Sequence, residues 1–163
     1  MRLFVAVWPP DEVVSSIAAL DRPSLPGLRW TTPDQWHVTV RFLGDVDDAL
    51  VPVLLAALPA VSATATMGPT TARLGHHVLV APVAGLGEVA VAVQGATVPL
   101  VPDQDRPRPF RGHLTLARSR RGASVPQSLA GAPLAGTWPV ERVTLVRSQL
   151  GPKGARYEIV EGA

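Results

Sequence analysis

The sequence contains no cysteine and a single lysine, and aromatic side chains make up only 5% of its 163 residues. Without cysteine the chain cannot build a disulfide framework, a zinc ribbon, an iron–sulfur site or a thiolate nucleophile. A chain of this kind suits a reducing compartment, so we expect a cytoplasmic protein. With 4 His and 13 Asp and Glu residues, few side chains are available for acid–base chemistry.

Long apolar runs are scarce as well. The longest, residues 49–61, is interrupted by Pro52 and Pro59 and is shorter than the roughly 18 to 20 residues that span a membrane. The apolar opening, residues 3–8, is too short for a signal-peptide core. Hydrophobic residues still reach 47%, which is enough to bury a core. We therefore expect one bilobal domain over residues 1–163, monomeric and without a membrane partner.

Arginine supplies nearly all of the positive charge. Lys153 is the only lysine among 15 cationic residues, and the formal net charge is only +2. Codon bias explains most of this arginine excess, but its distribution is uneven. Six arginines and no acidic residue lie between positions 106 and 121, namely Arg106, Arg108, Arg111, Arg118, Arg120 and Arg121. This segment predicts a local patch that attracts anions such as phosphate.

Hydrophobic periodicity and turn residues predict alternating strands and helices. Strands are expected at 2–8, 36–43, 62–67, 77–81, 111–117, 140–148 and 156–160, and helices at 9–20, 45–58, 86–98 and 125–129. Pro-rich segments 21–27 and 99–109 are expected to be loops. Because a similar order occurs in each half of the chain, we expect an α+β fold of two related lobes that meet at a cleft.

Two of the four histidines occur in the same four-residue pattern. His37-Val38-Thr39-Val40 and His113-Leu114-Thr115-Leu116 each alternate polar and aliphatic side chains. In a strand, such alternation places His and Thr on one face and the two aliphatic residues on the other. Two imidazoles across a cleft can act as base and acid near neutral pH, and threonine hydroxyls can donate to phosphate oxygens. The repeat therefore indicates metal-free phosphodiester chemistry.

Two other interpretations of the repeat stay open at this stage. Each His could be a sheet residue that hydrogen-bonds its neighbouring Thr without any catalytic role. Metal binding is disfavoured, because each strand offers one nitrogen ligand and no carboxylate lies at the spacing of a zinc motif. We therefore expect neither a metal nor another cofactor.

The repeated motif resembles the two-histidine (2H) phosphoesterase superfamily, and its surroundings are similar to the LigT-like branch, the RNA 2′,3′-cyclic phosphodiesterases. The resemblance extends over nearly the whole chain. It is carried by residues 2–7, by the motif segments 36–46 and 109–118, and by the closing segments 145–150 and 154–158. Two positions depart from the family pattern: Val40 replaces the usual Leu, and Gly112 stands where Pro is frequent. The glycine predicts a looser backbone in the segment that leads to His113.

The resemblance implies antiparallel sheets with flanking helices around the cleft. It also implies hydrolysis of a terminal 2′,3′-cyclic phosphate on RNA or a nucleotide to a 2′-phosphate, with joining of RNA ends through a 2′–5′ bond as the reverse reaction. His37 would be the acid and His113 the base. Thr39 and Thr115 would hold phosphate oxygens, and Arg118 would add positive charge.

Arg118 presents a difficulty of strand parity. In an unbroken strand it points away from His113 and Thr115, so a binding role requires the strand to end or bulge near Ala117. Arg41 shares parity with His37 and could face either the cleft or solvent. His76 and His77 are adjacent, so they are expected to be scaffold or surface residues.

The aromatic residues are assigned by default to packing. We expect the four tryptophans in the core or at the lobe interface. Tyr157 and Phe42 could stack a terminal base, although a core position is the simpler expectation.

Alternative functions are a phosphoesterase for a small cyclic phosphate, such as an ADP-ribose cyclic phosphate, and a module that binds RNA ends with little turnover.

Overall fold

The computed structural model of the chain describes residues 1–106 and 108–161. The strands within this part are β1 (Arg2–Val7), β2 (Leu28–Trp30), β3 (Val38–Asp45), β4 (Ala63–Met67), β5 (Ala72–Leu74), β6 (Val78–Ala84), β7 (His113–Ser119), β8 (Gly136–Val140), β9 (Thr144–Gly151) and β10 (Gly154–Ile159). The helices are α1 (Asp11–Ala18), α2 (Val51–Ala57) and α3 (Gly87–Thr97). Short 3₁₀ turns cover residues 33–35, 48–50 and 127–129.

The ten strands form one antiparallel sheet in the order β10-β9-β1-β3-β7-β6-β4-β8. Two short strands lie off this path, since β2 pairs with β7 and β5 pairs with β6. The sheet therefore has two halves, one around β1 and β3 and one around β6 and β7. These halves join where β3 meets β7, which confirms an α+β fold with two related lobes.

Helices cover the core side of each half of the sheet. Helix α3 packs on β3 and helix α1 packs on β8. The alternate residues Leu3, Val5 and Val7 of β1 belong to one large aliphatic core, which explains why the chain needs few aromatic residues. The opposite face of β1 carries Phe4 and Ala6, which pack with Val146 in a smaller cluster beside the cleft.

The two lobes do not correspond to the two halves of the chain. Strands β7, β8 and β9 come from the second half, yet β7 pairs with β3 and β6, β8 pairs with β4, and β9 pairs with β1. The predicted single strand over 140–148 is wrong for this reason. Val140 ends β8 on one edge of the sheet, and Thr144 begins β9 in the other lobe.

Several predicted boundaries need correction. The predicted helix over 45–58 begins later, because β3 continues through Gly44 to Asp45, and the α-helix covers only 51–57. Pro52 suits the first turn of that helix, where its missing N–H is not needed. The helix predicted at 125–129 is a 3₁₀ turn at 127–129. The sequence did not predict the short side strands β2 and β5, and of β8 it predicted only the last residue, Val140.

Candidate active site

The two histidine motifs meet where the lobes join. Val38 of β3 and Leu114 of β7 are antiparallel partners, and both side chains are fully buried in the core. Because side chains alternate along a strand, the residues that flank this pair face the other side of the sheet. His37, Thr39, His113 and Thr115 accordingly line one cleft of about 510 Å³.

Both imidazoles are held by the same device. The ring nitrogen Nδ1 of His37 lies 2.8 Å from the carbonyl oxygen of Gln35, and Nδ1 of His113 lies 2.8 Å from the carbonyl oxygen of Arg111. A carbonyl oxygen only accepts, so each Nδ1 carries a hydrogen and donates it. This fixes the tautomer of a neutral ring and leaves Nε2 as the atom available for proton transfer.

His37 lies in a cage of aromatic rings. Its ring centre is 4.8 Å from that of Phe4, 5.3 Å from that of Trp8 and 4.9 Å from that of Tyr157, which meets it edge-on. Burial is the main cause that lowers the pKa of His37 from 6.5 to about 4; the hydrogen bond to the Gln35 carbonyl opposes the shift, and the charges of Arg118 and His113 add to it. His37 is therefore neutral at pH 7 when the cleft is empty.

Thr39 is engaged with the histidine of its own motif. Its hydroxyl lies 3.0 Å from Nε2 of His37. Because Nδ1 of the neutral ring already donates to Gln35, Nε2 accepts and the Thr39 hydroxyl donates. The first motif thus contains the hydrogen bond from Thr to its own His that the non-catalytic interpretation also predicts. Thr115 has no such bond within the described chain and presents its hydroxyl to the cleft.

A β-bulge in β7 decides which face of the sheet Arg118 takes. Along the β6–β7 ladder, Val80 pairs with Thr115 and the next residue, Leu79, pairs with Ala117, so β7 carries one extra residue. Both residues that follow Thr115 are buried as a result, Leu116 at 2% and Ala117 at 0% exposure. The bulge turns Arg118 to the same side as His113, and Arg118 lines the cleft. The strand therefore bulges near Ala117, as a position of Arg118 in the cleft requires.

The other walls of the cleft come from β1, β2 and the β9–β10 hairpin. Tyr157 and Phe42 both line it, Tyr157 against His37 and Phe42 with 53% of its surface exposed. Burial raises the pKa of the Tyr157 hydroxyl, which keeps it protonated near neutral pH, although the charge of Arg118 opposes this. Three arginines and no carboxylate occur among the described lining residues.

Arg41 faces neither the cleft nor solvent. It is only 7% exposed, and its guanidinium donates to Asp103 at 2.9 Å, to the Thr97 hydroxyl at 2.7 Å and to the Val101 carbonyl at 2.6 Å. Both positions considered for it from the sequence are therefore wrong. The ion pair ties the segment after α3 to strand β3.

The remaining histidines lie outside the cleft. His76 and His77 are exposed in the turn between β5 and β6, and the strand predicted from residue 77 begins at Val78. Nδ1 of His77 is 2.9 Å from the hydroxyl of Ser119. The predicted assignment of this pair to scaffold or surface agrees with these positions.

The backbone before His113 is tightly packed rather than loose. The N–H of Val83 donates to the carbonyl of Gly112 at 2.9 Å, and a β-carbon at position 112 would lie 2.2 Å from the Val83 carbonyl oxygen. The absence of a side chain lets the two backbones approach. The prediction of a looser backbone before His113 is wrong, because Val83 of the neighbouring strand β6 hydrogen-bonds to Gly112.

The described residues contain no group of three or more His, Cys, Asp and Glu side chains that could hold a metal ion. Over the same part of the chain, no helix has the length and apolar character needed to cross a membrane.

Comparison with known proteins identifies the family. Residues 7–69 match the family model for LigT-like phosphoesterases. An RNA 2′,3′-cyclic phosphodiesterase from Thermus thermophilus is 30% identical over 99% of this chain and 88% of the relative. A second RNA 2′,3′-cyclic phosphodiesterase, from Geobacillus stearothermophilus, is 30% identical over 96% of this chain and 55% of that protein. The chain belongs to the LigT-like phosphoesterases.

Solved structures support the fold of this LigT-like phosphoesterase. A crystal structure of a Thermus thermophilus protein matches with a TM-score of 0.81 at 30% identity, covering 99% of this chain and 96% of that one. Escherichia coli LigT in complex with 3′-AMP matches with a TM-score of 0.73 at 24% identity, covering 98% and 95%. The family and the two-lobed fold expected from the sequence are thus confirmed.

Sequence reasoning missed the backbone part of this LigT-like site. The carbonyls of Gln35 and Arg111 orient both rings, but any residue type can supply a carbonyl, so no side-chain signal marks them. The aromatic cage of His37 was also missed. Phe4 and Trp8 are residues of β1 and its end, and only the pairing of β1 with β3 brings them to the ring.

Proposed function

We propose that this protein hydrolyses 2′,3′-cyclic phosphates at RNA ends or on nucleotides to 2′-phosphomonoesters. The observation that carries the proposal is that both His-x-Thr motifs line one cleft, with each Nδ1 bound to a backbone carbonyl, so that Nε2 is the nitrogen that exchanges a proton. The two curated relatives, both RNA 2′,3′-cyclic phosphodiesterases, support it.

The two imidazoles perform complementary proton transfers. Nε2 of His113 takes a proton from water, and the water oxygen forms a bond to phosphorus. The bond from phosphorus to the 3′ oxygen breaks, and Nε2 of His37 gives its proton to that oxygen. The products are a 3′ hydroxyl and a 2′-phosphate, and a proton passes from His113 back to His37 to complete the cycle.

His37 can act as the acid only after it gains a proton. Burial of its ring is the main cause that lowers its pKa to about 4. A bound phosphate diester brings a negative charge beside the ring, which raises the pKa of an imidazole. Substrate binding therefore favours protonation of the residue that must donate.

Protonation of His37 also changes what Thr39 can do. In the neutral state the Thr39 hydroxyl donates to Nε2 of His37. When Nε2 gains a hydrogen it becomes the donor, and the Thr39 hydroxyl hydrogen is released for a phosphate oxygen. Thr115 and the Arg118 guanidinium complete a set of donors for the charge that develops on phosphorus oxygens.

Joining of RNA ends, the reverse of cleavage at a 2′–5′ bond, uses the same groups. A 2′,3′-cyclic phosphate end and a 5′ hydroxyl end would join through a 2′–5′ bond when the 5′ oxygen replaces water as the nucleophile. None of the proposed steps uses a metal ion or an organic cofactor, and the proposed partner is RNA or a nucleotide that carries the cyclic phosphate.

The experiment that tests this function follows a 2′,3′-cyclic-phosphate oligonucleotide by phosphorus NMR. We expect the wild-type protein to give a 2′-phosphate, and His37→Ala or His113→Ala to lower kcat by about 10²- to 10⁴-fold each with circular dichroism unchanged. EDTA should not affect the rate. His76→Ala is the matched control, since His76 is exposed and outside the cleft.

Other outcomes of this experiment contradict the proposal. Full turnover in either alanine variant would refute the two-histidine mechanism. A stable complex that leaves the cyclic phosphate intact would identify a module that binds RNA ends instead. No turnover of the oligonucleotide or of nucleoside 2′,3′-cyclic phosphates, with turnover of an ADP-ribose cyclic phosphate, would place the substrate among other small cyclic phosphates.

A further inference from the structure

Arg29 lies in the cleft next to Arg118 and has no role in the reaction described above. It belongs to β2, and its Cα is the direct antiparallel partner of Arg118 on β7. Directly opposed residues in an antiparallel pair present their side chains on the same face. Arg29 and Arg118 therefore extend the positive wall of the cleft beyond the two histidines.

Nothing in the described chain neutralises the Arg29 guanidinium. No carboxylate lies within ion-pair distance of it and no hydrogen bond to a protein acceptor satisfies it, again within the described residues. Arg41 illustrates the opposite case, with three protein acceptors and a buried ion pair. An arginine whose fork of donors faces a cleft without a protein acceptor is suited to bind an anionic ligand group.

The Arg29 guanidinium nevertheless contacts the opposite lobe, and this contact limits where it can lie. A β-carbon on Gly154 would lie 2.6 Å from Nη2 and 2.7 Å from Cζ of Arg29, so the guanidinium packs directly over this glycine. Gly154 begins β10 with a φ of +103°, at the tip of the β9–β10 hairpin. The arginine thus spans from β2 to the hairpin and closes one end of the cleft.

Arg29 is farther from the reacting groups than Arg118. Arg118 shares strand β7 with His113 and Thr115, whereas Arg29 lies on β2, which pairs with residues 117–119 at the end of β7 away from His113. Arg118 is therefore the arginine beside the reacting phosphate. Arg29 lines the same cleft on the neighbouring strand, so its guanidinium is available to a second phosphate of a polynucleotide whose cyclic phosphate lies at the histidines.

We propose that Arg29 binds the phosphate on the 5′ oxygen of the terminal nucleoside, the phosphodiester that precedes the cyclic phosphate in an RNA chain. This inference rests on the proposed cyclic phosphodiesterase function and extends it to specificity. Arg29 makes RNA ends better substrates than mononucleotides, because a mononucleoside cyclic phosphate has no phosphate at this position. Gly154 keeps the guanidinium over the cleft.

The test compares two dinucleotides that carry the same 2′,3′-cyclic phosphate end. One has an ordinary phosphodiester linkage, and the other has an uncharged methylphosphonate linkage. We expect wild-type kcat/KM to be about tenfold higher for the charged dinucleotide, as expected for one charge-assisted hydrogen-bonded contact. In Arg29→Ala this ratio should fall to about one, and Arg29→Lys should retain part of it.

Arg142→Ala is the matched control, since Arg142 is exposed and lies outside the cleft, and its ratio should stay at the wild-type value. A wild-type ratio near one, or an unchanged ratio in Arg29→Ala, would overturn the role of Arg29 while leaving the hydrolysis itself established. If neither dinucleotide is hydrolysed, the proposed function fails. Arg29 is then tested by the affinities of the same two dinucleotides, where equal affinities refute its role.

Discussion

The two histidines share a motif and a backbone hydrogen bond but not an environment. His37 lies among Phe4, Trp8 and Tyr157, and its burial lowers its pKa to about 4. Around His113, no comparable ring–ring contact occurs in the described chain. The pseudo-symmetry of the motifs is therefore broken by neighbours from β1 and β10. Different environments shift the pKa values of two identical groups apart, and this difference suits them to different roles.

The lowered pKa of His37 makes a direct prediction for titration by NMR. In the free protein we expect the His37 ring to titrate near pH 4, and in the presence of a 2′-nucleotide product we expect its pKa to rise, because the phosphate anion stabilises the imidazolium. A pKa that stays near 4 in the bound protein would contradict the acid role of His37 and exchange the roles of the two histidines.

The same shift links stability to pH. The pKa of His37 is lower in the folded chain than the unfolded value of 6.5, so the unfolded chain binds more protons between about pH 4 and 6.5. The contribution to the free energy of unfolding is fully present above pH 6.5 and is lost as the pH falls toward 4. It amounts to at most about 3 kcal/mol. Urea denaturation at several pH values, with His37→Gln as the comparison, should show this slope only in the wild type.

At the scale of elements, irregular features aim the side chains. The bulge at Leu116 and Ala117 turns Arg118 into the cleft, and the late start of the predicted second helix leaves Asp45 in β3. Arg41 shows the same principle, because its buried guanidinium ties the segment after α3 to β3 through Asp103. Its Nε remains without a partner in the described chain, so the buried charge depends on the bonds that its two Nη atoms make to Thr97, Val101 and Asp103.

Breaking this ion pair should destabilise the protein. Asp103→Ala leaves a buried cation without its carboxylate, and we expect a loss of about 2 kcal/mol in the free energy of unfolding, reduced from the fully buried case because Asp103 is partly exposed. Urea denaturation measures this loss. Asp105→Ala, an exposed acid two residues away, should change stability by less than about 0.5 kcal/mol. Equal losses in the two variants would show that Arg41 does not depend on Asp103.

At the scale of the whole molecule, the second half of the chain completes the sheet of the first. β7 fills the gap between β3 and β6, β8 covers β4, and β9 covers β1. Each lobe therefore contains strands from both halves. The cleft that contains both histidine motifs depends on this arrangement, because His37 and His113 come from different halves of the chain.

This interleaving predicts that neither half folds alone. A fragment of residues 1–99 would remove one of the partner strands of each of β1, β3, β4 and β6 and would expose the buried residues that β7 and β9 cover. We expect it to lack a cooperative urea transition by circular dichroism, and we expect the intact chain to show a single transition. Cooperative unfolding of the isolated 1–99 fragment would contradict this view.

Much of the site was predictable because strand alternation is a local rule. The His-x-Thr repeat is sufficient to place two polar faces and two core faces, and Val38, Leu114 and Leu116 are indeed buried. Strand alternation alone predicts that Arg118 can face the cleft only if β7 ends or bulges near Ala117, and the structure contains this bulge. The short strands β2 and β5 were not predictable, because three residues carry too little periodicity to distinguish a strand from a loop.

By itself the sequence determined which side chains this protein has available: two imidazoles in matched motifs, threonines two residues later, no thiol, and enough aliphatic residues for a core. Only the tertiary structure decided that His37 is buried and neutral, that Arg41 is structural, and that Arg29 closes the cleft over Gly154. The physical reason is that a local pattern fixes which face a side chain takes. Burial, charge neighbours and close approaches depend on strands that are distant in the chain.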